Sequence, residues 1–575
     1  MAFLLRGIRP YFALVLLSLA LYLPGLVPLP PFDRDEARFV QATRQMIEDQ
    51  DFIRIQFQHE PRHKKPAGIY WLQAASVEAF GTPDGTALWP YRLPSLLGIL
   101  AAVLLTFGIG QRLFGRREAL LAAALLGVSI SAVLEAHLAK TDAVLLATVV
   151  AAEAALARVY MKARAGEDAG LVTALGFWAA LGLGMLIKGP ITPMVALLTV
   201  AALALPDRGT GIIRPLRPLL GIPLAAIIFL PWLVAVNRIA GGDFAGEAVR
   251  QDLLPKLLGD AESHGFPPGF YLVLLTLTFW PGSIFVWHAL VWAWQRRRDA
   301  AVRFCLAWVV PSWIVFELVP SKLPHYVLPL YPALALLTGA ALVAAGDGLV
   351  TRLGSIESRV GFVAWALVTL ALGGGIVALP IGLDGRFDPV TLVPLAAAVL
   401  TAAIALSAAW RGRVIAASAV AIVGSFFVLA PTLQWVLPRV DALWLSRSAE
   451  QLVARNTPAG AKPPVVVAIG YQEPSLVFLL GRDTALIKPQ EAPAFLAKHP
   501  DALLLLGDNL QRQVLDVLHR AGRDGKKLGA VRGFNYSKGI WLTLTLFKPV
   551  PLPPDGGRPD LDRAARPLTA PARSG

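Results

Sequence analysis

Within six residues the chain gathers Asp33, Asp35 and Glu36 beside Arg34 and Arg38, directly behind an apolar run, Tyr11 to Leu29, long enough to span a bilayer. A second charged group, His63, Lys64 and Lys65, precedes Pro66 and a segment carrying Tyr70 and Trp71, a proline-started helix with interfacial aromatics. Two more groups stand at junctions between apolar runs: Lys140, Thr141 and Asp142 in HLAKTDAVL, and Lys322, His325 and Tyr326 in VPSKLPHYVLPLYP. Lys188, in MLIKGP, is of the same kind. Carboxylates on one loop and cations on others, at the same membrane surface, suit a reaction between an acceptor and an anionic lipid headgroup. Lysine offers a phosphate a point charge, and histidine and tyrosine offer it hydrogen-bond donors. Taken singly, each residue also fits a solvated anchor at the interface, and Asp142 also fits the amino-terminal cap of its helix.

The elements that must hold these groups are membrane spans. With 575 residues, 55% hydrophobic, 16% charged and a mean hydropathy of +0.58, the chain is a polytopic α-helical membrane protein. Apolar runs of spanning length number about thirteen. The first is expected to be a retained span and not a cleaved leader, because no small-residue cleavage site follows it. The net charge of +14 sits in short basic clusters on alternate loops, which reads as topology and not as a nucleic-acid surface. Those loops, with the amino terminus, are then cytoplasmic. The mixed-charge loops face out, and so does everything after residue 440.

Residues 1–440 thus form the membrane domain, with interfacial helices at about 33–89. Residues 441–548 read as an α/β module, with PPVVVAIG and DALLLLGD as buried strands, helices between them and WLTLTLFK as a closing strand. From 549 to 575 the Pro-, Gly- and Arg-rich sequence reads as a disordered tail. Glu262 and His264, two apart in an outer loop, form a weak pair of metal-ligand candidates. There is no P-loop, G-x-S-x-G elbow, H-E-x-x-H or CxxC. A soluble module and charged sites on the outer side argue against a sugar-nucleotide donor and point to a donor that is itself a lipid.

DRDEARFVQATRQM, then QHEPRHKKPAGIYWLQA, AKTDA, LIKGP, LPW and SKLPHYVLPLYPALALL resemble the bacterial branch of the GT-C glycosyltransferases. That branch holds the lipid A aminoarabinose transferases (ArnT type) and relatives of the protein O-mannosyltransferases. The resemblance implies a GT-C fold of about thirteen transmembrane helices with a carboxyl-terminal periplasmic α/β domain, in the bacterial inner membrane, as a monomer. It implies an inverting transfer of a sugar from a polyprenyl phosphate to lipid A or another envelope glycan. Asp35 would be the catalytic carboxylate, with Glu36 beside it and Asp142 as the second acidic position. Lys65, Lys322 and Tyr326, with His325, Lys64 and Arg38, would hold the donor phosphate. No cofactor is required on this reading, and a divalent metal is the alternative. One departure stands out: aminoarabinose transferases usually read Glu-Lys-Pro-Pro where this chain has Lys64-Lys65-Pro66-Ala67. A base in place of that acid favours a neutral or acidic sugar, such as a hexose or uronic acid. Two other readings are a protein O-glycosyltransferase of the same fold and a lipid or sugar transporter. A transporter would place ionisable groups in mid-span and break helices at matching places in two halves.

Overall fold

The computed structural model describes residues 5–62, 65–82, 85–205, 211–239, 246, 266–345, 356–458, 460 and 463–552. Its contacts divide the chain into two units, residues 1–441 and 442–575.

The first unit is a helical bundle. Eight described helices are long and apolar enough to cross a membrane, or nine if one bent pair counts as a span. Among them are α4 (Trp89–Leu113), α7 (Asp142–Arg164), α8 (Leu171–Lys188) and α10 (Pro218–Ile239). The expected count of about thirteen is not reached by length and apolarity, because several apolar runs are broken or short. The run near 119–135 is two helices, α5 (Arg116–Gly127) and α6 (Ile130–Ala136), bent by 60°. Ser129 makes the break by capping α6, its Oγ accepting from the Ala132 amide at 3.4 Å. The run near 268–294 is likewise split, into α11 (Phe270–Thr278) and α12 (Ser283–Gln295). Shorter apolar helices include α1 (Arg9–Tyr22) and α9 (Ile191–Ala204). Gly189, at φ +67°, separates α8 from α9 in the left-handed region that favours glycine.

Two helices outside these spans carry the first charged groups. α2 (Asp35–Glu48) has Asp35 and Glu36 in its first turn, where the helix dipole favours negative charge. α3 (Gly68–Phe80) follows a two-strand turn, β1 (Gln56–Phe57) and β2 (Glu60–Pro61). Phe39, Ala42 and Met46 of α2 pack on Ile69 and Tyr70 of α3, together with Leu186 of α8 and Trp232 of α10. Thr43 Oγ1 donates to Gln73 Oε1 at 2.6 Å, locking the pair where apolar packing alone would let it slide. α2 and α3 are thereby fixed over the ends of α8 and α10.

The second unit is a five-stranded sheet in the order β4-β3-β5-β7-β6. β3 (Val466–Ile469), β4 (Ala485–Leu486) and β5 (Leu503–Gly507) are parallel, and β7 (Ile540–Pro551) and β6 (Arg523–Asn535) add antiparallel. Alternation decides the packing: Val466 and Ala468 face one helix layer, Val467 and Ile469 the other. β6 has no apolar run of its own, and only its pairing with β7 makes it a strand. That pairing also corrects the tail's start, since Pro549 to Pro551 lie in β7 with Pro549 paired to Gly525. The remainder of the expected tail, from residue 553, lies outside the described residues.

Candidate functional site

The first turn of α7 and the loop before it place three of the charged groups together. Asp142 opens α7, with Thr141 at the cap position and no side-chain cap bond. Its carboxylate is turned to Lys188, the last residue of α8, with Nζ to Oδ1 at 2.5 Å. Lys140 lies 3.6 Å from the other Asp142 oxygen and 2.9 Å from Glu135 of α6. Its Nζ also reaches His325 Nδ1 at 3.3 Å. An ammonium can only donate, so Nδ1 accepts and the imidazole proton sits on Nε2. That nitrogen faces Asp142 Oδ1 at 3.7 Å. The Lys188 ammonium lies 5.4 Å above the centre of the Tyr326 ring. Lys140, Asp142, Lys188, His325 and Tyr326, from three separate stretches of sequence, thus form one polar cluster.

Asp35 belongs to its field. Enclosure by protein raises its carboxyl, but Lys140, His325 and Arg62 lower it more, and it sits below the usual carboxylate range. The side chain itself remains open to solvent, so the neighbouring charges decide its state. Lys140 is driven down by burial and up by Glu135 and Asp142, and the carboxylates prevail: its ammonium is held on above its ordinary value. His325 is pushed down to about 3, by burial first and then by Lys140. It is therefore neutral near pH 7, a hydrogen-bond partner there, and becomes a cation that acts on Asp35 only in the acid range where Asp35 itself titrates. Arg62 donates to the Tyr70 hydroxyl at 3.2 Å and stacks 5.3 Å over Phe39.

Glu36 departs from its expected place among the catalytic groups. Its two oxygens accept from Arg92 Nε at 2.9 Å and Nη2 at 3.0 Å, from the Phe32 amide at 2.9 Å and from the Ala139 amide at 2.8 Å. The pair is buried, and all four bonds saturate the carboxylate, which leaves it nothing to offer a substrate. Arg92 also donates to the carbonyls of Leu26, Leu29 and Pro30. Glu36 thereby ties the residue after Asp35 to the residue before Lys140.

Lys322 is also held elsewhere: it is buried and donates to the Val319 carbonyl at 3.0 Å. Arg38, within α2, and Lys65, just before α3, are half-buried. Lys64, Glu262 and His264 lie outside the described residues. Among the described residues no group of three or more His, Cys, Asp or Glu side chains could hold a metal ion.

The residues that sequence reasoning passed over are Glu135 as the partner of Lys140, Arg62 as a neighbour of Asp35, and Arg92. For Arg92 a signal existed: a lone arginine in an apolar helix requires a buried partner.

The fold defines a class, a multi-pass membrane protein of GT-C architecture. Its relatives are more particular. Over 94% of this chain and 98% of the other, the structure superposes on ArnT from Cupriavidus metallidurans bound to undecaprenyl phosphate, with a TM-score of 0.73 and 16% identity. The oligosaccharyltransferase of Archaeoglobus fulgidus follows at a TM-score of 0.53, 14% identity, and 84% and 65% coverage. In sequence, a family model described as dolichyl-phosphate-mannose-protein mannosyltransferase matches residues 64–234. An undecaprenyl phosphate-alpha-4-amino-4-deoxy-L-arabinose arabinosyl transferase of Pseudomonas fluorescens is 31% identical over 376 residues, 63% of this chain and 65% of the relative. One from Pseudomonas aeruginosa is 29% identical over 345 residues, 58% of this chain and 60% of its own length. The chain therefore has an ArnT-like GT-C fold, and its sequence match spans somewhat under two thirds of these relatives.

Proposed function

We propose that the protein is an integral-membrane glycosyltransferase that moves a sugar from a polyprenyl-phosphate donor to lipid A or another envelope-glycan acceptor. The supporting observation is the setting of Asp35: a carboxylate open to solvent and held below its usual range by the charge of Lys140, which itself lies 3.6 Å from the Asp142 of the Asp142–Lys188 pair at the ends of membrane-spanning helices. In an inverting displacement the acceptor oxygen attacks the anomeric carbon as its bond to the donor phosphate breaks. The leaving polyprenyl phosphate takes the electron pair. Asp35 orients the acceptor, and accepts its proton where the acceptor is a hydroxyl; a phosphate acceptor is already anionic and needs only orientation. Lys65, Tyr326 and Lys188 are assigned to the leaving phosphate, whose growing charge they stabilise. No metal is required for that step.

On this reading the amino terminus is cytoplasmic and the second unit periplasmic, the placement that gives the site access to outer-leaflet donor and acceptor. The lysine at position 64 favours a neutral or acidic sugar. The match to the mannosyltransferase model over residues 64–234 gives a second reading, transfer to protein hydroxyls by the same site. Purified wild type and Asp35→Asn would be supplied with polyprenyl-phosphate sugars and envelope acceptors, and lipids and proteins followed by mass spectrometry. A sugar mass on lipid A or a glycan with wild type only is the expected result, with the variant reduced about 100-fold or more. The mass on a protein would select the second reading, and no transfer by either would overturn both.

A further inference from the structure

Far from Asp35, at the other end of α7, Tyr160 is 1% exposed. Its hydroxyl has no hydrogen-bond partner among the described residues. A buried hydroxyl left unpaired is costly, so such a group marks a place where a ligand or water belongs. Here the Tyr160 side chain lines a recess of about 190 Å³ between α7, the end of α9 and residues 211–212. Arg164, one turn further along α7, lines the same recess and stacks 5.7 Å over the Tyr160 ring. Its guanidinium is exposed and has no carboxylate partner among the described residues. The rest of the lining is apolar or backbone: Ala163, Leu203, Ala204, Gly211 and Ile212. Arg303 is close by, donating to the carbonyl of Leu203 at 3.2 Å.

We infer that this recess binds the phosphate of an anionic phospholipid headgroup, between the Arg164 guanidinium and the Tyr160 hydroxyl. A guanidinium fork and a phenol match the oxygens of a phosphodiester. Basic pockets between spanning helices at the arginine-rich side of the membrane are where acidic headgroups bind. The position favours a lipid over a free ion, because the recess opens at the ends of α7 and α9, at headgroup height, with apolar walls for the glycerol. The site is independent of the transfer reaction.

The full-length protein in detergent would be titrated with phosphatidylglycerol or phosphatidylcholine and followed by native mass spectrometry and thermal shift. Phosphatidylglycerol should be retained and should raise Tm, and phosphatidylcholine should do neither. Arg164→Gln should weaken retention about tenfold, and Tyr160→Phe about threefold to tenfold. Arg158→Gln removes a charge from the same end of α7 but on another face, and should change nothing. Equal losses in the Arg158 and Arg164 variants would mean diffuse attraction and would overturn the site. Without lipid, Tyr160→Phe should melt no lower than wild type, since it removes an unpartnered hydroxyl. A lower Tm would mean that the hydroxyl already has a partner, and the proposal fails. Inorganic phosphate is the control for the source: displacement of the lipid and equal stabilisation by phosphate at the same concentration would reject a lipid ligand.

Discussion

Asp35 and Lys140 act on each other through charge, and that coupling has a sign. The carboxyl of Asp35 is held below the usual range by Lys140, His325 and Arg62 against the opposing effect of enclosure. An ordinary aspartate titrates near 3.9. If the ionised form is the active one, kcat/KM should hold level from neutral pH down through that value and fall only below it. Lys140→Met removes the first lowering charge, so the acid limb should move to higher pH; a limb that stays put would detach Lys140 from Asp35. The same shift makes Asp35 a contributor to stability above its unfolded value, a contribution lost as pH falls through the lowered one. Asp142 is buried and pairs at 2.5 Å with the half-buried Lys188, and breaking such a pair leaves one charge uncompensated. Asp142→Asn should cost about 3–5 kcal/mol in denaturation, and Asp142→Asn with Lys188→Met should recover part of that. Activity should not return in the double variant, because the pair is assigned to the site as well as to the bundle.

Among the helices, the approach of α4 to α7 sets where Asp142 stands. A Cβ at Gly98 would lie 2.8 Å from both the carbonyl carbon and the oxygen of Ala143, the residue after Asp142. Backbone cannot swing aside as a side chain can, so Gly98→Ala must push the first turn of α7 outward. The expected cost is about 1–3 kcal/mol. Because the displacement falls on the Asp142 turn, transfer activity should drop while membrane insertion and expression stay near wild type. Gly68 plays the matching part for α3: its Cβ would lie 2.7 Å from the Leu186 carbonyl, two residues from Lys188. Gly98→Ala with unchanged activity at unchanged Tm would show that this contact has slack.

For the molecule as a whole, the arginine-rich loops and the second unit are assigned to opposite sides of the membrane. The sole cysteine, Cys305, is buried, so Cys305→Ser gives a quiet background for labelling. Arg411 and Lys538 are exposed. In intact spheroplasts an impermeant maleimide should modify Lys538→Cys and not Arg411→Cys, and both after permeabilisation. Labelling of Arg411→Cys alone would reverse the orientation and with it the access of the site to an outer-leaflet donor, and labelling of both would overturn the assignment to opposite sides.

The sequence by itself determined the class of fold. Apolar runs of spanning length in so charge-poor a chain leave little alternative to helices in a bilayer, since backbone groups in hydrocarbon must pair within their own segment. It also marked DRDEARF, AKTDA, LIKGP and SKLPHY as places where charge stands against the membrane. Strand runs such as VVAI and LLLLG could be read from their apolar character. Only the tertiary structure decided which charges meet. Lys140 with Glu135, Asp142 with Lys188, and His325 between them join residues up to 190 positions apart, and no local pattern encodes such a pairing. Glu36 and Lys322 show the converse. In the chain they look like site residues, but Glu36 is saturated by Arg92 and two amides, and Lys322 is turned to a carbonyl. A charged side chain takes the partners that the packing of spans brings to it, and that packing is a property of the whole bundle.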